Sequence, residues 1–196
     1  DARANKPAGL AAHPSGRRLD GTLIHALHRR FRRPDDPDHD VVPRLLHRID
    51  VETSGVVAVG LDEQFHALVA RQFEDRLVAK TYLAVVYGVP AAHAGAIDRP
   101  IVPDKRSAVR LEPAAPLTRV HLAEIGHPLV GDKLYGPDER YFLHQLAGTL
   151  AEEHRAALVL DRHALHAHSL TFHHPMLGRE LTIAAPLPAD MAALVP

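Results

Sequence analysis

The chain contains no cysteine. Disulfides, thiolate metal sites and cysteine nucleophiles are thereby excluded, and the composition suits a reducing compartment. No apolar run approaches the roughly eighteen residues that a membrane helix needs, and the first residues do not show the basic-then-apolar pattern of a signal peptide. A cytoplasmic protein without a membrane partner is the expectation. A charge excess is missing too: 23 Lys and Arg stand against 24 Asp and Glu, a formal net charge of −1. That balance argues against a large sequence-independent grip on a polyanion. There is neither an internal repeat nor a low-complexity tract. What is present is ordinary globular material, 46% hydrophobic and 24% charged over 196 residues. It suffices for one good core or two small lobes.

The charges are unevenly spread. Arg17, Arg18, Arg29, Arg30, Arg32, Arg33, Arg44 and Arg48 fall in the first fifty residues, and Asp35, Asp36, Asp38 and Asp40 cluster beside them. An arginine-rich helix end can face phosphates or simply be a solvated face. The sixteen histidines add positive charge as pH falls, so binding to an anion is expected to strengthen on acidification.

Punctuation and periodicity give the coarse organisation. Asn5-Lys6-Pro7-Ala8-Gly9-Leu10 reads as a turn leading into a short strand. Residues 20–33 read as a helix, with Leu23, Ile24, Leu27 and Phe31 at helical spacing, Asp20 or Thr22 as cap and Pro34 as stop. Residues 33–43 form a polar loop. The apolar, β-branched run 56–61 suits a buried strand. Asp62 caps a helix whose apolar stripe is Phe65, Leu68, Val69 and Phe73, and residues 80–87 make a further strand. Residues 126–136 read as a glycine-bounded loop, Thr149 as the cap of a helix to about Leu160, and residues 164–172 with 181–183 as a hairpin turning at Pro175 and Gly178. Strands and helices in mixed order predict an α+β protein with a mixed sheet.

Asp50 is the most suspicious residue for chemistry. It lies between the apolar pair Leu45-Leu46 and the run 56–61, with Arg48 two positions away. A half-buried acid needs a partner, and a paired arginine would keep it ionised and nucleophilic. On spacing alone a structural ion pair or a turn aspartate is the commoner explanation. A metal hydrolase is the main rival, because His163, His166, His168, His173 and His174 cluster and His166 and His168 would share a strand face. No HExxH or comparable spacing supports it.

The residues around Asp50 carry a longer pattern. His47-Arg48-Ile49-Asp50-Val51-Glu52-Thr53-Ser54-Gly55 resembles the signature His-Arg-Leu-Asp-x-x-Thr-Ser-Gly of RluA-type pseudouridine synthases. Further blocks resemble the family in the same order. They are Asn5-Lys6-Pro7-Ala8-Gly9 with His13-Pro14, Lys80-Thr81-Tyr82-Leu83-Ala84, His121-Leu122 with Gly126-His127-Pro128 and Gly131-Asp132-Lys133-Leu134-Tyr135-Gly136, and Arg162-His163-Ala164-Leu165-His166-Ala167 with His174-Pro175 and Ala185-Pro186-Leu187-Pro188. The resemblance covers nearly the whole chain.

It implies the pseudouridine synthase fold, a mixed and largely antiparallel sheet flanked by helices and loops with a central RNA-binding cleft, as a single domain of two sub-lobes over residues 1–196. It also implies a cytoplasmic monomer that isomerises a uridine of rRNA or tRNA with no cofactor and no metal. Asp50 matches the nucleophile, attacking either base or sugar. Tyr82 matches the active-site tyrosine, which would stack on uracil and handle the proton at C5. Arg48 matches the residue that enters the space of a flipped base, or else contacts phosphate; His47, Lys80 and Lys6 are expected near the RNA. Gly131, Asp132 and Gly136 read as loop architecture. One departure stands out: the family reads Gly-Arg-x-His-Gln-Ile-Arg before the His-Leu block, whereas here only residues 111–118 separate Arg110 from Arg119. Residues between 110 and 119 are therefore expected to be missing, and Arg119, the tail of that motif, is the expected ion-pair partner of Asp50. A catalytically dead RNA-binding module is the alternative that a true deletion would favour.

Overall fold

A strand opens the chain, ahead of the turn at Pro7 rather than after it. The computed structural model describes residues 2–16, 19–101 and 117–195, and the chain divides into two compact units. The first comprises residues 1–83 and 166–188; the second comprises residues 84–165 and 189–196.

In the first unit, β1 (Ala2–Lys6) lies antiparallel to β3 (Ser54–Gly60), with Ala2 opposite Val59 and Lys6 opposite Gly55. The two-residue β2 (Arg44–Leu45) pairs with the other edge of β3 at Val59 and Gly60. Lower on that edge, β5 (Leu165–His174) runs parallel to β3 through Ser54 and Gly55 opposite His166 and Ala167. The order β1-β3-β5-β4, with β4 at Ala79–Ala84, makes β3 central and separates it from β4 although the two are consecutive around a helix. β6 (Arg179–Ala184) folds back on β5 as an antiparallel hairpin. The sheet is mixed and mostly antiparallel, and the protein is α+β, as its element order predicts.

Every residue of β3 is buried, because both faces of this strand are covered. Val57 and Val59 meet Leu23, Ile24 and Leu27 of α1 (Leu23–Phe31), together with Ile49. Val56 and Ala58 meet Phe65 and Val69 of α2 (Glu63–Glu74), with Phe172 and Ile183 behind them. A continuous apolar run is what a strand buried on both sides requires. Asp62 caps α2 as expected, its carboxylate accepting the Phe65 N–H at 2.7 Å. The predicted stripe of α2 errs at Leu68, which is 46% exposed; Phe65, Val69, Ala70 and Phe73 face the core instead. α1 begins one residue after Thr22, whose hydroxyl bonds His25 rather than a backbone N–H.

The second unit holds α3 (Leu117–Glu124), α4 (Arg140–Ala147), α5 (Glu152–Leu158) and α6 (Ala189–Ala192). A short ladder ties it together: Val85 N–H donates to Ala164 O, Val130 N–H to Val85 O and Ala164 N–H to Val130 O. Gly131 follows at φ +72°, where an added Cβ would strike the carbonyls of Arg162 and Leu160. Only glycine fits that turn. Helix α5 starts after Ala151, not at Thr149; Thr149 belongs to the end of α4, its side chain against His144. Among the described residues, no helix is long and apolar enough to cross a membrane.

Candidate active site

Asp50 is half-buried and sits in a segment fixed on both sides. Ile49 before it is 8% exposed and packs under Val57 and Val59. Val51 after it offers its carbonyl to two donors, the Gly9 N–H at 2.8 Å and Lys6 Nζ at 3.1 Å. Thr53 N–H closes a turn back onto Asp50 O at 3.2 Å. The segment then enters β3 through Gly55, whose φ of +120° and tight approach to Ala167 exclude any side chain. This is why Thr-Ser-Gly follows the aspartate: the backbone turns away without carrying Asp50 into the sheet.

Lys6 is therefore a scaffold residue. Its side chain is fully buried and also donates to Pro7 O at 3.0 Å and Leu10 O at 2.8 Å. A buried ammonium surrounded by carbonyls keeps its hydrogen bonds while out of water. The sequence reading expected Lys6 near the RNA; its Nζ is spent on the turn that carries Val51.

Tyr82, on β4, is half-buried against the cluster of Ile49, Val57 and Ala167. Burial, and then the negative charge of Asp50, push its hydroxyl up from the ordinary tyrosine value. The phenol thus keeps its proton at neutral pH within electrostatic reach of Asp50, and it is a donor rather than a phenolate. Arg48 is exposed. Loss of water around the His13 ring, and then the charges of Arg48 and His28, lower His13, so these three basic side chains share one neighbourhood.

His47 has turned inward. Its Nε2 accepts the Ala58 N–H at 3.1 Å, and its ring stacks on Phe73 at 4.9 Å between centroids. Burial, and then the charge of Lys80, lower its pKa to about 4. Neutral His47 cannot add charge toward RNA at physiological pH. Lys80 is exposed, with Nζ 5.1 Å from the Phe73 ring centre. His166 and His174 are buried as well. His166 bonds Ser54 at 2.9 Å and Ala185 O at 3.2 Å, and His174 accepts the Leu177 N–H. Of the histidines in the hydrolase reading, His166, His168, His173 and His174 lie on β5 and His163 precedes it, and no group of three metal-ligating residues forms among the described residues.

Arg119 lies in the second unit, on α3. Its Nε donates to Asp132 Oδ2 at 2.7 Å and its Nη2 to Asp132 Oδ1 at 2.6 Å, while its guanidinium carbon stands 5.1 Å from the Tyr135 ring centre. Burial alone would raise Asp132, but the hydrogen bond and charge of Arg119, with the Tyr135 N–H, outweigh it and hold the carboxyl below its ordinary value. The sequence pattern alone assigns Asp132 to loop architecture. Its signal was the one that singled out Asp50, an acid beside an apolar pair, here Leu129-Val130. The expected gap between 110 and 119 falls largely on residues 102–116, outside the described ones.

Comparison with known proteins places these groups in a family. Residues 3–142 match the family model described as RNA pseudouridylate synthase. The class so defined is an RNA-modifying isomerase. The chain belongs to the RNA pseudouridylate synthase family, RluA type, and is a pseudouridine synthase. Among its relatives, ribosomal large subunit pseudouridine synthase D of Zymomonas mobilis is 33% identical over 223 positions, covering 97% of this chain and 67% of the relative. The Nitrosomonas europaea protein of the same name is 36% identical over 228 positions, covering 97% and 60%. An uncharacterized RNA pseudouridine synthase of Bacillus subtilis is 32% identical over 221 positions, covering 97% and 67%. The chain thus spans 60–67% of the length of these relatives. All three alignments exceed 196 positions, so the relatives carry stretches that this chain lacks. The solved structure of human RNA pseudouridylate synthase domain containing 4 shares the fold, with a TM-score of 0.68 at 24% identity over 97% of this chain and 86% of that one.

Proposed function

We propose that this synthase isomerises a uridine of ribosomal RNA, or of tRNA, with Asp50 as nucleophile. The observation that carries the reading is the setting of Asp50: an acid held between a core residue and a doubly bonded carbonyl, with a protonated tyrosine in its field. The names of the Zymomonas and Nitrosomonas relatives favour the large ribosomal subunit as substrate.

A stacked base hides both its C6 and its C1′, so the nucleotide must leave the helix at a cost of about a few kcal/mol. Exposed Arg48 is suited to take the vacated space, since a planar guanidinium both stacks and hydrogen-bonds. Lys80, also exposed, is suited to a phosphate. Asp50 bonds to the base or the sugar, the N1–C1′ bond breaks, uracil turns, C5 bonds to C1′, and the bond to Asp50 breaks to free the carboxylate. The C5 proton leaves and N1 gains one, so atoms balance without a co-reactant. Tyr82 stacks on the ring and relays the C5 proton. Arg119, the tail of the family's arginine motif, is the candidate catalytic cation, because Arg48 must leave for the RNA. The reading carries with it a cytoplasmic monomer that needs neither cofactor nor metal.

Mapping pseudouridine in total RNA from cells with and without the gene, and with an Asp50→Asn copy, tests the reading. At least one site is expected to vanish in the deletion and to stay absent with the variant. A map unchanged by the deletion, or a lost site that returns with Asp50→Asn, contradicts it.

A further inference from the structure

Ahead of Asp50 the chain parts from β3, and a side chain marks the place. Arg44 and Leu45 pair with Gly60 and Val59, and the next residue, Leu46, still donates its N–H to Ala58 O at 3.0 Å. In an antiparallel ladder the Ala58 N–H would return that bond to Leu46 O. It goes to His47 Nε2 instead, at 3.1 Å. The imidazole stands in for a main-chain carbonyl, so Ala58 keeps a partner while the backbone after Leu46 leaves the sheet. The ring is itself held, stacked on Phe73 of α2 at 4.9 Å and 17° between planes, and Lys80 Nζ stands 5.1 Å from the Phe73 ring centre. Beyond it Arg48 is exposed, Ile49 buried and Asp50 half-buried, and Val51 O is tied to Gly9 N–H and Lys6 Nζ. The segment that carries Asp50 is thus short and anchored at both ends, and its upstream anchor is a single acceptor atom.

We infer that His47 is a positioning residue for the isomerisation: its Nε2, by accepting the Ala58 N–H, fixes where the chain peels away from β3 and so where Asp50 stands. This deepens the reading above, in which Asp50 is the nucleophile, and rests on it. His47 acts through Asp50 and not on the RNA. Only an unprotonated Nε2 can accept, and burial together with the charge of Lys80 keeps the ring in that form at neutral pH. Losing the anchor lets the carboxylate drift from the reacting atom, which lowers turnover and leaves RNA binding nearly as it was.

The test separates the acceptor from the ring. His47→Gln places an amide oxygen where Nε2 stands and gives up the stack on Phe73, whereas His47→Phe keeps the stack and has no acceptor. Both are assayed in the full chain by tritium release from RNA of cells that lack the gene and are fed uridine labelled at C5. Thermal melting checks that each variant is folded at the assay temperature, and hydrogen exchange is read at the Ala58 amide. His47→Gln is expected to keep kcat within about threefold of the parent and Ala58 protected. His47→Phe is expected to lower kcat by about ten- to a hundredfold, with an apparent KM within about threefold, and to speed exchange at Ala58. Should His47→Phe not fold, His47→Asn takes its place, its amide one atom too short to reach the Nε2 position, and the same loss is expected. If the Phe or Asn variant turns over like the parent, or His47→Gln falls as far as they do, the positioning role is overturned and the Asp50 reading stands. Asp50→Asn is the companion: tritium release at the parental rate by that variant would overturn the nucleophile and the positioning role together.

Discussion

Around Asp50 the chain is held by backbone bonds and apolar packing; around Arg119 it is held by charge. Val51 is pinned through its carbonyl, Ile49 by a cluster of valines and leucines, and His47 by a neutral ring stacked on Phe73. Arg119 faces a buried carboxylate, and in the same unit Arg162 makes a second bidentate pair with Asp190, at 2.7 and 2.9 Å. The difference suits the parts proposed for them. A nucleophile must keep its own charge for the reaction, so the groups that place it are best uncharged. A cation that only stabilises charge can be steered by another charge. The two regions should therefore fail differently.

The largest effect is expected from Gly131→Ala, which combines left-handed backbone with collision against carbonyls and is predicted to cost about 3 kcal/mol or more. Hydrogen exchange should show protection lost first around Val85, Val130 and Ala164. Loss confined to β3 would contradict the assignment of that ladder to the second unit. Lys6→Met comes next. It removes one donor from each of three carbonyls, Val51 O keeping only the Gly9 N–H, and is expected to lower stability by about 2–3 kcal/mol, read from chemical denaturation, with turnover falling as the segment after Asp50 loosens. A stability change under 0.5 kcal/mol would mean that the lysine contributes nothing to the turn.

Acid separates the two regions more finely. His47 is held near 4, below its ordinary 6.5, so the unfolded chain takes up the proton first. The stability it carries is complete above about pH 6.5 and is lost as pH falls toward 4. Asp132 and Asp190 are lowered carboxylates, so their contribution is present above 3.8 and is lost only below it, through their folded values. Weakening between pH 6.5 and 4 is thus expected around His47 and β3 while the Arg119–Asp132 pair persists. His47→Gln should flatten that part of the melting-temperature profile by a few degrees. A variant as acid-sensitive as the parent would remove His47 as the cause. The smallest effect is expected at Leu68, nearly half exposed, where Leu68→Ser should change stability by less than about 0.5 kcal/mol.

Leu68 also shows where sequence reading stops. Helical spacing gave the face of α2 to within one residue, and only the placement of β3 beneath Phe65 and Val69 decided which neighbour stayed outside. The buried strand at 56–61, the Asp62 cap and the β5–β6 hairpin were readable because their signals are local. β2 was not, since two residues become a strand only by pairing with Val59 and Gly60. Helix α4 went unread although Phe142, Leu143 and Leu146 recur at helical spacing, and in the fold it buries no residue. At the site, Asp50, Arg48 and Tyr82 stood out through their motif. The inward turn of Lys6 and His47 did not, because whether a cationic side chain meets solvent or a carbonyl depends on tertiary neighbours. Asp132 carries the same local signal as Asp50, but its partner, thirteen residues away on another element, does not show in the sequence.

The central claim is that Asp50 supplies the chemistry and its surroundings supply only the placement. Asp50→Asn keeps the shape of the side chain and removes the nucleophile, so the decisive measurement is pseudouridine formation by this variant alongside its affinity for the same RNA. The account predicts turnover below about one percent of the parent with binding within a few fold. Turnover well above that level in a clean preparation, or affinity lost together with activity, would contradict it.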